Sequence, residues 1–378
     1  MLYNRKLNLN SLLKNKSFFL FGARSTGKTT LIQQNLKNYK LYDLLDSQTY
    51  RRLLKRPKLL EEENTKHNLI VIDEIQKQAL LLDEVHRLIQ TKNYRFLLTG
   101  SSARKLKKGQ SNLLAGRAWQ AELFPLSWVE IPRFDLIKYL NLGGLPMVYN
   151  SKNYKEELDS YVSLYLREEI QNEALSRNIQ AFAEFLDLIA LSNGEEINYE
   201  SFSKDLQVSP STLKNYIEVL SDTLLGFRLP GWTKTKKRKA ISRGKFYLFD
   251  LGVTNTLCHR GFIESKSELF GKAFEHFIIL EMRSYLSYFR KKLNMNYWRS
   301  NSQTEVDLLV GDKVAIEIKS NSLIQDKHLK GLRRLKEEQL LKKYIVVSLD
   351  KEERITKDKI YIMPWKAFLK KLWQGAII

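Results

Sequence analysis

Eight residues, Gly22-Ala23-Arg24-Ser25-Thr26-Gly27-Lys28-Thr29, restrict what this chain can fold into more than any other feature of it. They fit G-x-x-x-x-G-K-[ST], with an apolar run, Ser17–Phe21, before them and a helical stretch, Thr30–Leu36, after them. Strand, glycine-bearing turn and helix is the setting in which this pattern cradles phosphate. The glycines let successive backbone N–H groups face inward as an anion nest, and the helix turns its positive end toward the same point. Gly22, Ala23, Arg24, Ser25, Thr26, Gly27, Lys28, Thr29 and Thr30 are therefore candidate ligands of ATP. Lys28 is placed to reach the β- and γ-phosphates, and the Thr29 hydroxyl to ligate Mg²⁺.

Phosphoryl transfer needs a second element on a neighbouring strand: an apolar run that ends in an acid close to the Mg²⁺. Leu69-Ile70-Val71-Ile72-Asp73-Glu74 supplies it. Asp73 is expected to hold the metal's water shell, and Glu74 to polarise the attacking water as general base. The run Tyr94–Leu98 leads into Thr99-Gly100-Ser101, so Thr99 or Ser101 is a candidate γ-phosphate sensor. Leu114-Ala115-Gly116-Arg117 offers Arg117 to stabilise transition-state charge, in cis or from a neighbouring subunit, with Arg24 as a weaker alternative.

Short apolar runs alternate with helical patterns from about residue 17 to 130, which implies a parallel sheet with crossover helices. The chain of 378 residues is long enough for two or three domains. Its 63 Lys and Arg against 42 Asp and Glu give a net charge of +21. A body this basic favours an anionic partner, and nucleic acid, DNA first, is the expected one, against a merely Lys-rich composition. The single Cys258 excludes a disulfide framework and a cysteine-rich zinc site. No apolar run approaches the roughly 20 residues that cross a bilayer, and no signal-peptide core follows the basic N-terminus, so a soluble, cytoplasmic protein without a membrane partner is expected.

The stretch from 151 to 225 reads as helical. Ile179–Leu191 carries Phe182, Phe185, Leu186 and Ile189 on one face, and Asn198–Leu206 forms a second helix. Gln207-Val208 makes a turn, and Ser209-Pro210 opens a third helix with Leu213, Tyr216, Ile217 and Leu220 as its apolar stripe. That is a helix-turn-helix. Lys214 and Asn215 on its exposed face are candidate base contacts. Eight basic residues and no acid lie between Arg228 and Lys245, flanked by strand-like runs. This predicts a wing hairpin whose tip, Lys234, Lys236, Lys237, Arg238 and Lys239, suits backbone phosphates.

Further on, Glu305–Val310 and Val314–Lys319 alternate as strands. A three-residue loop at Gly311-Asp312-Lys313 pairs Asp307 with Glu317 and Glu305 with Lys319, and leaves Val306, Leu308, Val310, Val314, Ile316 and Ile318 on the other face. A one-residue slip would mix charge with core, so burial selects this register. Asp307 and Glu317 then face each other as ligands for Mg²⁺ or Mn²⁺, with Lys319 to activate water for attack on a phosphodiester. Glu275, on the apolar face of a helix over Gly271–Leu286, is the third acid. Asp-x₉-Glu-x-Lys is the spacing of the PD-(D/E)xK nucleases.

Taken together, Gly22–Thr29, Leu69–Glu74, Thr99-Gly100-Ser101, Leu114–Arg117, Gly143-Gly144-Leu145-Pro146, Lys245–Asp250, Ala273-Phe274-Glu275, Glu305-Val306-Asp307, Glu317-Ile318-Lys319 and Pro364-Trp365 resemble a bacterial and archaeal family of AAA-type P-loop ATPases that carry a C-terminal domain of unknown function. The resemblance covers essentially the whole chain. It implies a multidomain α/β protein: a P-loop NTPase (AAA-type) parallel sheet over 1–150, a central helical and winged-helix domain over 151–245, and a restriction-endonuclease-like α/β domain over 246–378. The function expected is a DNA-associated ATPase whose nucleotide state controls a Mg²⁺-dependent nuclease-like domain. A nucleotide-driven switch with a non-cleaving domain and a winged-helix transcriptional regulator are the alternatives.

Overall fold

In a computed structural model, which describes residues 2–64, 66–102, 104, 114, 116–166, 179–235, 243–265 and 267–378, the expected strands of the first section form one parallel sheet. β1 (Ser17–Phe21), β2 (Lys40–Asp43), β3 (Leu69–Asp73), β4 (Arg95–Gly100) and β5 (Ala118–Glu122) lie in the order β2-β3-β4-β1-β5. The run Ile70-Val71-Ile72 has no solvent exposure, as expected of a strand covered on both faces. Alternate residues feed opposite cores: Phe19, Phe21, Ile70, Ile72, Phe96 and Leu98 on one side, Phe18, Leu20, Val71 and Leu97 on the other. The carboxyl ends of β1, β3 and β4 carry the phosphate loop, Asp73 and Thr99, and helix α1 (Lys28–Asn35) follows the loop directly. β5 was not expected. It is an edge strand with Trp119 and Gln120 exposed, so it has no apolar run to betray it.

The middle section contains the expected helices α2 (Ile179–Leu191), α3 (Tyr199–Asp205) and α4 (Pro210–Asp222). Their starts are chemical. Asn198 accepts from the Ser201 N–H, and the Ser209 hydroxyl accepts from the Thr212 N–H at 3.1 Å with Pro210 in the first helical position. Gln207 turns the chain between α3 and α4 with φ 51°. An antiparallel pair, β6 (Gly226–Leu229) and β7 (Lys245–Leu248), follows.

The last section is a mixed six-stranded sheet in the order β12-β13-β11-β10-β9-β8, from β8 (Met295–Arg299), β9 (Glu305–Val310), β10 (Val314–Lys319), β11 (Lys343–Ser348), β12 (Arg354–Ile355) and β13 (Tyr361–Pro364). The β9–β10 hairpin pairs Val310 with Val314, Leu309 with Ala315 and Leu308 with Ile316, the register read from burial. Leu308, Val310, Val314, Ile316 and Ile318 lie in the core under the long helix α5 (Glu268–Tyr288) and the last helix α6 (Trp365–Trp373). Val306 departs from that face. It joins Leu309 and Ala315 on the other side, where Gly331 brings a helix backbone close to Glu305 and Val306.

The sections share cores. Tyr3, Leu126, Tyr139 and Tyr149 are buried in the same cluster as Phe274, Phe277 and Phe368. Ala23 of the phosphate loop is buried with Phe182, Phe185 and Tyr216 of the middle section. The Gly143-Gly144 break is pinned as well: the Gly144 N–H donates to Asp250 Oδ2 at 2.7 Å, and a Cβ on Gly143 (φ 72°) would lie 2.1 Å from Asp250 Oδ1. No helix among the described residues is long and apolar enough to cross a membrane.

Candidate functional site

The phosphate loop closes on itself through its own side chains. Gly27 caps α1 with φ 93°, and the Thr26 hydroxyl donates to the Ala23 carbonyl at 2.8 Å. Lys28, 7% exposed, donates from Nζ to the Gly22 carbonyl at 2.7 Å, so its ammonium lies within the ring of loop carbonyls. Gly22 is obligatory: a Cβ there would stand 2.6 Å from the Leu123 carbonyl and 3.0 Å from Thr26 Oγ1.

Facing the loop, β3 and β4 deliver the expected acid and sensor side by side. Thr29 Oγ1 donates to Asp73 Oδ2 at 3.3 Å, and the Thr99 hydroxyl donates to Asp73 Oδ1. A hydroxyl and a carboxylate at this spacing, both from elements that meet at the loop, fit a Mg²⁺ ion, which keeps most of its waters and takes one or two protein oxygens. Glu74 holds a left-handed backbone (φ 59°), and its N–H donates to Thr99 Oγ1 at 3.3 Å. A non-glycine residue in that region is costly, and such backbone strain is found at functional sites. Gln76 then donates to Glu74 and, at 3.2 Å, to the Ser101 hydroxyl, so Ser101 contacts the general-base candidate through one side chain.

Arg117 is elsewhere. Ala118 pairs with Ser17, at the amino end of β1, whereas the loop follows the carboxyl end. The length of β1, roughly 16 Å at the usual strand rise, separates them, so the in cis reading of Arg117 fails and only a neighbouring copy would bring it to the phosphates. Arg24 and Thr30 are exposed at the mouth of the loop.

Several residues of this site carried no sequence signal. Arg5 donates to the Thr26 carbonyl at 2.7 Å and pairs with Glu130 at 3.1 Å, buried under the loop. Tyr161 donates to the Arg24 carbonyl at 3.2 Å. Buried Arg104, just past β4, donates to Asn215 Oδ1 at 3.0 Å. Beside the loop, a cleft of about 350 Å³ is lined by Tyr3, Ser25, Gly27, Thr30, Pro146 and Met147.

Among the expected nucleic-acid contacts, Asn215 is thus half-buried against Arg104 and does not face outward, while Lys214 and Lys234 are exposed. Lys236, Lys237, Arg238 and Lys239 lie outside the described residues. Just past β6, the described start of the connection to β7 is held against the last section. The Trp232 N–H donates to the Tyr297 carbonyl at 2.7 Å and its ring is buried in the core of the last section.

The rear cluster is built on β7, β9, β10 and α5. The Ile318 N–H donates to Asp307 Oδ2 at 2.7 Å, and Lys319 Nζ lies 2.7 Å from Glu317 Oε1 and 3.9 Å from Asp307 Oδ2. Tyr247 donates to Glu275 Oε1 at 2.7 Å. Lys245, which charge patterning alone assigns to the basic stretch, is buried here instead: its ammonium pairs with Glu305 and lies 3.6 Å from Glu275 Oε1. Burial raises the Glu317 carboxyl well above the usual range, Asp307 adds to this, and Lys319 opposes it. Glu275 is raised by burial against the pull of Lys245. Lys319 is raised, chiefly by Asp307, and Lys245 is raised by Glu275, Glu305 and Asp307 although burial works against its charge. Among the described residues no three His, Cys, Asp or Glu side chains gather around one point as ligands of an ion. The expected Glu275, Asp307 and Glu317 set is therefore present but does not fit a divalent metal as arranged, because two ammonium groups stand among its oxygens.

Residues 14–132 match the model of an AAA domain, residues 133–264 a domain of unknown function (DUF8612), and residues 270–368 another (DUF4143). Two uncharacterized proteins of Methanocaldococcus jannaschii are similar over most of their length. One is 27% identical, covering 81% of this chain and 74% of the relative; the other is 24% identical, covering 94% and 85%. An uncharacterized protein of Mycobacterium tuberculosis is 24% identical over 67% of this chain and 59% of its own. Among solved structures, the Aeropyrum pernix ORC1 protein in complex with DNA aligns at 13% identity and TM-score 0.25, covering 67% of this chain and 91% of that one. Domain III of the Thermotoga maritima replication initiation protein DnaA aligns at 15% and 0.24, covering 56% and 85%. The front of the chain is an AAA-type, ATPase-like α/β domain, and two domains of unknown function follow it.

Proposed function

We propose that the protein binds and hydrolyses ATP with Mg²⁺, and that its nucleotide state acts on a DNA-associated winged helix and on a nuclease-like C-terminal domain. The observation that carries the ATPase half is the meeting of Thr29, Asp73, Thr99 and Glu74 at the open end of one parallel sheet, against the Lys28 loop. In this reading Lys28 and the loop N–H groups hold the β- and γ-phosphates, and Thr29 and Asp73 hold the metal that neutralises them. Glu74 takes a proton from the attacking water, and Thr99 keeps Asp73 oriented.

Coupling is supported by the shared parts: Ala23 in the middle core, Tyr161 on the Arg24 carbonyl, and Arg104 on Asn215. A phosphate-driven shift of the loop or of the β4 end has direct contact with α4, the helix offered to DNA. Exposed Lys214 and Lys234 and the net charge of +21 support an anionic partner.

Lys28→Ala should abolish ATP turnover while the melting temperature stays near that of the wild type; unchanged turnover would remove the ATPase assignment. Incubation of labelled single- and double-stranded DNA with Mg²⁺ or Mn²⁺, with and without ATP, tests the rear half. The second reading, a switch with a non-cleaving rear domain, is favoured by the ammonium groups of Lys245 and Lys319 on the carboxylates, and it expects no cleavage under any of those conditions.

A further inference from the structure

The phosphate loop is held from outside as well as by its own side chains. Arg5 reaches it from the N-terminal segment, with a side chain only 4% exposed. Its Nη1 donates to the Thr26 carbonyl at 2.7 Å. Its Nη2 donates to the Phe124 carbonyl at 2.6 Å and to the Tyr288 hydroxyl at 3.2 Å. Nε lies 3.1 Å from Glu130 Oε1, which also accepts from the Lys6 N–H at 2.6 Å, while Glu130 Oε2 accepts from the Ser127 N–H at 3.0 Å. The Tyr288 hydroxyl is fixed in turn by the Phe124 N–H, which donates to it at 3.1 Å. Partners after β5 and at the end of α5 thus set the plane of the guanidinium, and that plane directs one N–H at the loop.

The bond to Thr26 bears on phosphate through the peptide it holds. The peptide unit between Thr26 and Gly27 is planar and trans, so its C=O and N–H point in opposite directions. Drawing the Thr26 oxygen toward Arg5 sends the Gly27 N–H to the other side, where it can join an anion nest. Glycine is what makes the orientation a choice. Gly27 has φ 93° and no side chain, and such a residue occupies several backbone regions at similar cost. Turned over, the same peptide would present its oxygen to the phosphates and repel them.

We infer that Arg5 is a positioning residue of the ATP site: it locks the Thr26–Gly27 peptide with the N–H toward the phosphates, and Glu130, Phe124 and Tyr288 hold it in place to do so. A buried, charge-assisted donor set by four partners is suited to keeping one peptide in one orientation. Tyr288 ends the helix whose earlier turns carry Glu275, so the last section takes part in setting the loop. The inference rests on reading the loop as an ATP site, and it adds a residue that lies outside the loop pattern.

Steady-state ATP hydrolysis tests it, with KM and kcat separated for the wild type, Arg5→Lys, the double variant Arg5→Met/Glu130→Gln, and Tyr288→Phe. A peptide free to turn weakens phosphate binding in the ground state and the transition state alike. KM should therefore rise by about tenfold in the double variant, with kcat kept within about twofold. That variant removes both members of the buried ion pair, so no unpaired carboxylate is left behind. Arg5→Lys keeps a donor for Thr26 but cannot span every partner, and should raise KM less than the double variant. Tyr288→Phe removes one anchor and should raise KM by about threefold. Loss of folded protein lowers kcat and leaves KM in place, so a fall in kcat at unchanged KM would mark Arg5 as merely structural and overturn the inference. A wild-type KM in the double variant would also overturn it; should that variant fail to fold, a wild-type KM in both Arg5→Lys and Tyr288→Phe would do the same. A wild type that turns over no ATP would overturn the ATPase reading and the inference together.

Discussion

Single side chains decide how tightly the front site is built. Gly22 has the Leu123 carbonyl where a methyl group would go, so Gly22→Ala forces the loop or β5 to move. Overpacking of this kind costs about 1–3 kcal/mol; the same distortion should weaken ATP binding by about tenfold or more, which isothermal titration calorimetry would measure. At the other end of the chain, His276 is fully enclosed, with Nε2 hydrogen-bonded to the Leu248 carbonyl at 2.7 Å and Nδ1 to the Asn193 side chain at 3.2 Å. Burial lowers it to about 4. The unfolded chain takes up the proton first as pH falls, so this residue's contribution to stability is complete above about 6.5 and is lost on the way down to about 4. The loss is on the order of 3 kcal/mol. Unfolding midpoints between pH 7 and pH 4.5 should therefore fall more for the wild type than for His276→Gln, whose amide nitrogen can still reach Leu248.

At the scale of elements, the sequence is most readable where periodicity and capping agree. Ile179–Leu191, the Asn198 and Ser209 caps, and the β9–β10 register all follow from local rules, because burying one face and slipping one residue are incompatible. Ser209→Ala should lower stability by about 1 kcal/mol, visible in the urea midpoint, with Ser209→Asp retaining most of it. Three features were not readable. Edge strand β5 has no apolar run. Arg117 was offered in cis or from a neighbouring subunit, and only the pairing of Ala118 with Ser17 shows that it lies at the end of β1 opposite its own phosphate loop. Lys245 looks like one of eight basic residues in a row, and nothing local tells a solvated lysine from one enclosed by carboxylates that lie up to 60 positions ahead of it. Val306 left its expected face because β9 takes one extra residue against β8, three steps from Leu309 to Val306 opposite two from Asn296 to Trp298, and no local signal announces that bulge.

Over the whole molecule, the hydrogen bond from Arg104 to Asn215 links the segment after β4 directly to α4, the helix proposed above to meet DNA. Arg104→Ala should keep ATP turnover while erasing the difference in DNA affinity between the ATP and ADP states, a difference expected at about 5- to 150-fold for coupled sites. Fluorescence anisotropy with a labelled duplex would read it, and an unchanged difference would exclude this link. DNA affinity in either state should fall steeply with salt. Ala23 has a consequence for anyone who divides the chain. Its methyl group is buried in one core with Phe182, Phe185 and Tyr216, more than 150 positions away, and Leu126, Tyr139 and Tyr149 share another core with Phe274, Phe277 and Phe368 of the final third. A fragment ending near residue 150 would carry raw oily surface on two sides and clump. Hybrids made with a distant relative would work only if such residues travel together with the neighbours that enclose them.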